Sequence, residues 1–246
     1  MFEADPPAAA RPAEEQRESM AESSRAWVRE RLARLEILIA PSASVARNLE
    51  IDEEMTRSGG GAGRAGLRLW WGSAPAVVVG NSERPEIVAD LAACERLGIP
   101  VLRRKTGGGT VLQTPDVLNY SLTAPGARLL DVRIVFELGA LLLVRALANL
   151  GLHGEMRGTS DVVVGNRKIS GNAQARRWGG VLLHGTLLLD LDLDLVETCL
   201  RQPEYRRGRS HRDFLTTLRS EGVAAGPLAV QSAVVAAAWQ LSREGL

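Results

Sequence analysis

Short extended runs of hydrophobic residues dominate the middle of the chain, and helical patterns occur singly between them. The runs predicted to be strands are residues 35–40, 67–71, 76–80, 100–104, 110–113, 118–124, 161–164, 167 onward and 181–190. The patterns predicted to be helices are residues 42–57, 85–97, 131–150, 193–200, 213–220 and 228–243. Strand and helix do not alternate regularly. We therefore predict an α+β domain with a mixed, mainly antiparallel sheet flanked by helices, rather than a doubly wound fold.

The N-terminal stretch differs from the rest of the chain. Residues 1–25 are rich in Ala, Pro, Glu and Arg and have no apolar periodicity, so we predict a disordered or loosely helical tail. Residues 26–246 are then expected to form one domain, without a separate accessory domain.

Composition narrows the class of protein. The 246 residues are 45% hydrophobic and carry a formal net charge of +1, which argues against disorder and gives no electrostatic support for nucleic-acid binding. The apolar runs are too short to cross a bilayer and the N-terminus has no signal-peptide pattern, so we expect no membrane partner and a cytoplasmic location. Of the 30 basic residues, only Lys105 and Lys168 are lysines. Lysine is a compact point charge that arginine does not replace, so these two positions are of interest.

Three consecutive glycines, Gly107, Gly108 and Gly109, stand in the segment RRKTGGGT of residues 103–110. Consecutive glycines permit positive φ and a close approach of the backbone to a ligand. Their free amides, beside Arg and Thr, can hold a phosphate or a carboxylate. The segment is neither a Walker P-loop nor a dinucleotide-binding GxGxxG motif. A glycine-rich hairpin with exposed arginines fits it equally well.

A hairpin is predicted around Gly165-Asn166, a two-residue turn between extended runs. If the second strand stays extended, alternate side chains share one polar face, namely Lys168, Ser170, Asn172, Gln174 and Arg176. An ordinary exposed face would explain Arg176, but it would not explain a lysine in an arginine-rich chain.

Two further strands carry candidate ligand contacts. His184 and Thr186 share a face of one strand, although a lone histidine in a strand is more often structural than catalytic. Trp70 and Trp71 are adjacent, so one is expected in the core while the other could line a pocket for an apolar ligand. His153 and His211 have no such context and are assigned no role.

Three stretches together resemble the lipoate–protein ligase A family, within the wider group of biotin and lipoate ligases and octanoyltransferases. They are LRLWWGSAPAVVVG, RRKTGGGTVLQTPDVLNYSL and DVVVGNRKISGNAQARRWGGVLLHGTLLLD, in the family's order within residues 35–195. The resemblance implies a catalytic domain like that of biotin ligases. It implies that ATP and magnesium activate lipoate or octanoate to an acyl-adenylate, and that the acyl group passes to a lysine of a lipoyl carrier domain or a glycine-cleavage H-type protein.

By position, the resemblance implies that Lys168 is the essential catalytic lysine and that Asp161 lies near the nucleotide and its magnesium. The other implied binding residues are Trp70, Arg104, Thr106, Gly107, Gly108, Gly109, Asn119, Ser170, His184 and Thr186. The attacking amine belongs to the acceptor protein, so this chain need not supply a nucleophile.

Two departures from the family pattern leave alternatives open. Gln113-Thr114 stands where the ligases commonly have His-Asp, and Val117 stands where they commonly have Asn. One alternative is an octanoyl or lipoyl transferase that works through a cysteine thioester, although Cys94 and Cys199 have apolar helical neighbours that suggest buried thiols. The other is a non-catalytic subunit that binds the carrier.

Three further questions stay open. The sequence does not decide between lipoate, octanoate and biotin. A partner subunit could supply an accessory domain. The arginine-rich residues 202–215 fit a carrier-docking loop, a phosphate contact or a solvated surface alike.

Overall fold

The computed structural model describes residues 11–40, 43–58, 65–126, 130–203, 206 and 208–244. Its strands are β1 Glu36–Ile39, β2 Gly66–Trp71, β3 Ala76–Val79, β4 Val101–Arg103, β5 Val111–Gln113, β6 Val117–Pro125, β7 Glu155–Arg157, β8 Asp161–Val164, β9 Arg167–Arg177 and β10 Gly180–Leu188. Its helices are α1 Arg11–Leu32, α2 Val45–Arg57, α3 Pro85–Val88, α4 Leu91–Arg96, α5 Val132–Asn149, α6 Leu193–Cys199, α7 His211–Phe214 and α8 Pro227–Glu244.

The strands form two sheets. The larger has seven strands in the order β1-β2-β6-β10-β9-β8-β7, all antiparallel neighbours except the parallel pair β1 and β2. The smaller has the order β4-β3-β5, with β3 parallel to β4 and antiparallel to β5. The predicted α+β fold with a mixed, mainly antiparallel sheet is therefore confirmed.

The principal core lies on one face of the large sheet. Leu67, Leu122 and Leu183 are register partners in adjacent strands, and all three are buried in this core with apolar residues of α1, α5 and α8. The neighbouring row, Arg68, Ser121 and His184, points to the opposite face because side chains alternate along a strand. Polar side chains therefore collect on the face away from the principal core.

The small sheet has a separate apolar cluster on each of its faces. Val77 and Val79 pack with residues of α4 and α6, including Cys94 and Cys199. Ala76 and Val78, which alternate with them along β3, pack with Trp70 of the large sheet and with α2. Residues of both clusters line the cavity described below.

Most predicted elements are present, and the exceptions follow from tertiary contacts. The helix predicted over 85–97 is broken because Ala89 pairs with Leu200 in an isolated bridge, and Asp90 then caps α4 by accepting a hydrogen bond from the Ala93 amide. The helix predicted over 213–220 is wrong, since α7 ends at Phe214 and the following backbone pairs with β9. Strand β7 is not in the prediction.

Of the two alternatives predicted for the tail, disordered or loosely helical, residues 11–25 are helical and belong to α1. Ser24 is buried there, and its Oγ accepts a hydrogen bond of 3.0 Å from the backbone amide of Asp131 at the start of α5. Residues 1–10 lie outside the described residues. Among the described helices, none has the length and apolar character needed to cross a membrane. The single catalytic domain and the cytoplasmic location stay predictions.

Candidate active site

A cavity of about 400 Å³ opens between the polar face of the large sheet and the edge strand β5 of the small sheet. Ten of the twelve predicted site residues line it: Trp70, Arg104, Gly108, Gly109, Asn119, Asp161, Lys168, Ser170, His184 and Thr186. The other two, Thr106 and Gly107, contact the lining residues His184 and Arg104. The structure thus gathers residues from distant parts of the chain around one space.

The glycine turn is held in place from both sides. Gly108 has φ of 81°, a conformation that favours glycine, and a Cβ on Gly80 would lie only 1.9 Å from the Gly108 carbonyl oxygen. The buried Arg104 donates hydrogen bonds of 2.6 Å and 2.7 Å to the carbonyls of Gly107 and Gly109. Burial lowers the pKa of Arg104 to about 10, which leaves its guanidinium charged at neutral pH. Arg104 therefore shapes the turn.

The backbone amides of the turn are the groups left for a ligand. Within the described residues, the N–H groups of Gly107, Gly108 and Gly109 donate no hydrogen bond, while two of their carbonyls are taken by Arg104. Free amides in a turn with positive φ form a concave, electropositive surface that suits an anion.

Lys168 reaches the cavity through a β-bulge. Lys168 pairs with Val163 and Ser170 pairs with Val162, so Ile169 is an extra residue in β9. The Lys168 ammonium lies 2.7 Å from Oδ1 of Asp161. It also lies over Gly171, where a Cβ would be 2.6 Å from Nζ.

The predicted common polar face of β9 holds in part, since Lys168, Ser170 and Asn172 line the cavity and Gln174 does not. Asn172 also accepts a hydrogen bond from the Tyr120 hydroxyl and donates one of 2.8 Å to the Ser160 carbonyl. Gln174 instead bonds the Val132 carbonyl at the start of α5, at 2.9 Å. Ser170 lines the cavity, and its buried Oγ has no hydrogen-bond partner among the described residues.

A buried polar network behind the cavity is absent from the sequence prediction. Asp52 of α2 forms a 2.8 Å ion pair with Arg68 of β2, and both side chains are 1% exposed. The second Asp52 oxygen accepts hydrogen bonds from Trp70 Nε1 at 3.3 Å and Ser121 Oγ at 2.5 Å. The Arg68 guanidinium also bonds Asn48 Oδ1 at 2.5 Å. An arginine within the apolar strand GLRLWW is the sequence signal that could have revealed this pair.

The network continues to His184 and the glycine turn. Nδ1 of His184 lies 3.7 Å from Oδ2 of Asp52, and Nε2 lies 2.6 Å from Oγ1 of Thr106. His184 therefore joins α2 to the turn, and Trp70 is anchored by the same carboxylate. Trp70 lines the cavity, whereas Trp71 packs against the principal core, which matches the predicted division between the two tryptophans.

The two departures from the family pattern are adjacent in space. Gln113 and Asn119 form a reciprocal amide pair, with hydrogen bonds of 2.7 Å and 2.9 Å, and both are buried. Val117 is fully buried, and its carbonyl accepts a further bond from Asn119. Gln113 thus satisfies the side-chain hydrogen-bonding groups of the retained Asn119.

Residues of the arginine-rich segment, whose role the sequence analysis left open, form part of the cavity wall. Arg206, His211 and Leu215 line the cavity. His211 is 2% exposed, and its Nδ1 has no hydrogen-bond partner in the part of the chain that the structure describes. Burial lowers the pKa of His211, and the charge of Arg206 lowers it further.

Neither cysteine belongs to the cavity lining. Cys94 and Cys199 are buried in the cluster on the far face of the small sheet. Burial, and to a smaller extent the neighbouring Cys94, raise the pKa of Cys199 to about 11. The prediction of buried thiols is confirmed for both residues.

The described residues contain no group of three or more His, Cys, Asp or Glu side chains that could hold a metal ion. Asp161 offers carboxylate oxygens at the cavity, of which Oδ1 is paired with Lys168. Mg²⁺ commonly binds through one or two carboxylates together with substrate phosphates, so Asp161 fits an ion that enters with a nucleotide.

The lipoyl protein ligase A/B catalytic domain model matches residues 44–237 of the chain. The lipoate-protein ligase LplJ of Bacillus subtilis is 33% identical over 133 residues, which are 54% of this chain and 40% of LplJ. The octanoyltransferase LipM of Carboxydothermus hydrogenoformans is 31% identical over 199 residues, which are 70% of this chain and 72% of LipM. The chain thus spans less than half of the ligase but most of the transferase.

A similar fold is found in the bi-partite lipoate protein ligase of Thermoplasma acidophilum, whose structure was solved in a study of that ligase and its E2 lipoyl domain. The TM-score is 0.71 at 24% sequence identity, covering 85% of this chain and 92% of the other. At this identity the likeness shows the shared fold.

Proposed function

The chain belongs to the lipoyl protein ligase A/B catalytic domain family, and from that premise we propose that it is an ATP-dependent lipoate–protein ligase. In the first step the carboxylate of lipoate or octanoate attacks the α-phosphorus of ATP, and pyrophosphate leaves. In the second, the amine of a carrier lysine attacks the acyl carbonyl, and AMP leaves. The acceptor would be a lipoyl domain or a glycine-cleavage H-type protein.

The observation that carries this proposal is that the apolar residues lining the cavity fall into two groups, which we call its Trp70 lobe and its His211 lobe. The Trp70 lobe is lined by Leu49, Trp70, Val78 and Val111, which belong to the cluster on one face of the small sheet. The His211 lobe is lined by His211 and by Leu112, Leu191, Val196, Leu200 and Leu215, whose apolar members belong to the cluster on the other face. The cavity therefore passes around the edge strand β5.

Polar groups occupy the same cavity as the two lobes. They are Lys168, Asp161 and the free amides of the glycine turn. An acyl-adenylate has the matching form, because an apolar chain and an aromatic base are joined through an anionic phosphoryl group. A thioester intermediate would need only one apolar lobe.

The chain's own residues can stabilise the charge that develops in both steps. The Lys168 ammonium is a point charge on a flexible stem, so it can follow negative charge on the phosphoryl and carbonyl oxygens. Asp161 holds the lysine at the cavity wall before substrate enters. When bound, Mg²⁺ would neutralise phosphate charge beside Asp161.

The second candidate is an octanoyl or lipoyl transferase, favoured by the similarity to LipM over most of LipM's length. That chemistry requires an accessible thiolate. Cys94 and Cys199 are 1% and 0% exposed and lie outside the cavity, which supports the ligase over the transferase. A carrier-binding subunit without adenylation activity is the third candidate, suggested by Gln113 and Val117.

One experiment separates the three. The protein is incubated with lipoate, octanoate or biotin in the presence of ATP and Mg²⁺, and pyrophosphate and acyl-adenylate are measured. A ligase forms both, and adding a lipoyl domain then raises the domain's mass by one acyl group. Acyl transfer from an octanoylated carrier without ATP, lost in Cys94→Ala or Cys199→Ala, would identify a transferase. Carrier binding without either reaction would identify the binding subunit. Activity that appears only after a cell fraction is added would reveal an accessory subunit.

A further inference from the structure

The two cysteines of the chain form a buried pair that the proposed reaction does not use. Cys94 of α4 and Cys199 of α6 are more than a hundred residues apart in the sequence, yet both belong to the cluster on the far face of the small sheet. Their thiols share a hydrogen bond. A buried residue touches only about 6–12 others, so contact between the two cysteines of a 246-residue chain is not expected from random placement.

The backbone holds these two cysteines side by side. Ala89 and Leu200 form an antiparallel bridge, and the amide of Asp90 donates a 2.9 Å hydrogen bond to the Cys199 carbonyl. The Asp90 carbonyl in turn accepts a 3.0 Å hydrogen bond from the Cys94 amide. One residue thus joins the main chains of both cysteines. The contact between the thiols is therefore fixed by main-chain hydrogen bonds as well as by apolar packing.

We propose that Cys94 and Cys199 are a redox modification site, which hydrogen peroxide converts to an intramolecular disulfide and a small thiol restores. In the first step one sulfur attacks the peroxide, the O–O bond breaks, and a sulfenic acid and one water form. In the second, the other sulfur attacks the sulfenic sulfur, the S–O bond breaks, and a second water leaves. The two thiols lose two electrons and two protons, and the peroxide takes them up. The site does not rest on the proposed ligase function.

Burial determines the speed and the product of this oxidation. The pKa of Cys199 is raised to about 11, mainly by burial, so this group is a protonated thiol at neutral pH. Since the thiolate is the reactive form, oxidation should be slow, and bulky reagents should react more slowly than peroxide. The second thiol lies beside the first, so it traps the sulfenic acid before further oxidation. The site should therefore respond to prolonged exposure and give a disulfide.

The crosslink would act on two short helices. Helix α4 has six residues and α6 has seven, and helices of this length depend on tertiary contacts for their stability. Val196 of α6 and the following Leu200 line the cavity. A disulfide between α4 and α6 would thus fasten part of the cavity wall to the far side of the small sheet. It would also close a loop of more than a hundred residues, which restricts the unfolded chain.

The test uses the wild-type protein, reduced or treated with hydrogen peroxide for several hours. Both forms are then unfolded and labelled with N-ethylmaleimide. The reduced form should gain two labels, whereas the treated form should gain none and should recover both sites after dithiothreitol. Trypsin should release from the treated form the peptide that ends at Arg96, linked to the peptide that ends at Arg201. Two labels on the treated protein, or a disulfide between molecules instead, would overturn the proposal.

Stability and hydrogen exchange give the second readout. The oxidised form should unfold about 5–15 °C above the reduced form, the effect expected when a disulfide closes a long loop in a chain of this size. Amide exchange should slow in α4 and α6 and stay unchanged in α8. Cys94→Ala and Cys199→Ala are the matched controls, and peroxide should change neither quantity in them. Equal unfolding temperatures of the oxidised and reduced wild type would also overturn the proposal.

Discussion

The buried ion pair between Asp52 and Arg68 allows a quantitative prediction. Asp52→Asn removes the charge that faces a guanidinium with 1% exposure, at a distance of 2.8 Å. Breaking a fully buried pair leaves an uncompensated charge, so we expect the free energy of unfolding to fall by about 3–5 kcal/mol. Arg68→Met should cost a similar amount, because the Asp52 carboxylate would lose its guanidinium partner and keep the neutral donors of Trp70 and Ser121.

The double variant Asp52→Asn/Arg68→Met isolates the interaction. It leaves no charge at either of these two positions, and the new amide oxygen can still accept a hydrogen bond from Trp70 or Ser121. We therefore expect the double variant to lose less stability than the sum of the single variants, by about 2 kcal/mol or more. Urea denaturation at pH 7, followed by far-ultraviolet circular dichroism, measures all four proteins.

The exposed pair Arg84–Glu86 provides the control, since its side chains are 70% and 51% exposed. Glu86→Gln should leave the urea midpoint unchanged, because exposed pairs are screened by water. The reasoning would be refuted by additive losses in the Asp52/Arg68 cycle, within about 0.5 kcal/mol, or by a single variant that costs less than about 1 kcal/mol.

Three other predictions concern the site and the thiols. Lys168→Arg should abolish most adenylate formation and acyl transfer, because a planar guanidinium does not fit where Nζ lies over Gly171. The unfolding temperature should stay unchanged. Near-normal rates would remove Lys168 from its assigned role. Gly80→Ala should lower the unfolding temperature and raise the KM for substrate, because the new Cβ would lie 1.9 Å from the Gly108 carbonyl oxygen. Gly226→Ala is the control and should do neither, because no atom lies within 4 Å of its Cβ position. Cys94→Ala and Cys199→Ala should keep ligase activity, and native Cys199 should react slowly with thiol reagents at pH 8, because its pKa is about 11. Since this pKa is above the unfolded value of about 8.5, the stability contribution of the protonated thiol should be intact below pH 8.5 and decline towards pH 11, as urea midpoints at several pH values would show.

Six of the seven strands of the large sheet, all except β7, could be predicted from local patterns, because alternating hydrophobic residues and turn residues mark them in the sequence. Gly165-Asn166 marks the β8–β9 hairpin, and Gly165 indeed has φ of 57°. The break between α3 and α4 could not be predicted in this way, since it depends on the pairing of Ala89 with Leu200, more than a hundred residues away. The bulge at Ile169 likewise depends on how β8 and β9 pair.

The residues of the candidate site likewise differ in whether local sequence patterns could reveal them. Lys168, Asp161 and the glycine turn could be singled out by residue type and by resemblance, and the structure brings them to one cavity. Asp52 could not be predicted because it looks like an ordinary polar residue until α2 packs on β2, and the only signal for Arg68 is its place in the apolar strand GLRLWW. His211 could not be predicted as a cavity residue, because its burial depends on contacts of α7 with other elements that local sequence patterns do not indicate.

The separation of the two lobes by β5 has a consequence for how such a site can change over evolutionary time. The side chains that line the Trp70 lobe and those that line the His211 lobe belong to different apolar clusters and share no cluster member. Effects of substitutions usually add when the residues share no partners. A lineage, or a protein engineer, should therefore be able to alter the fit of a ligand in one lobe through one cluster while the other lobe is inherited unchanged.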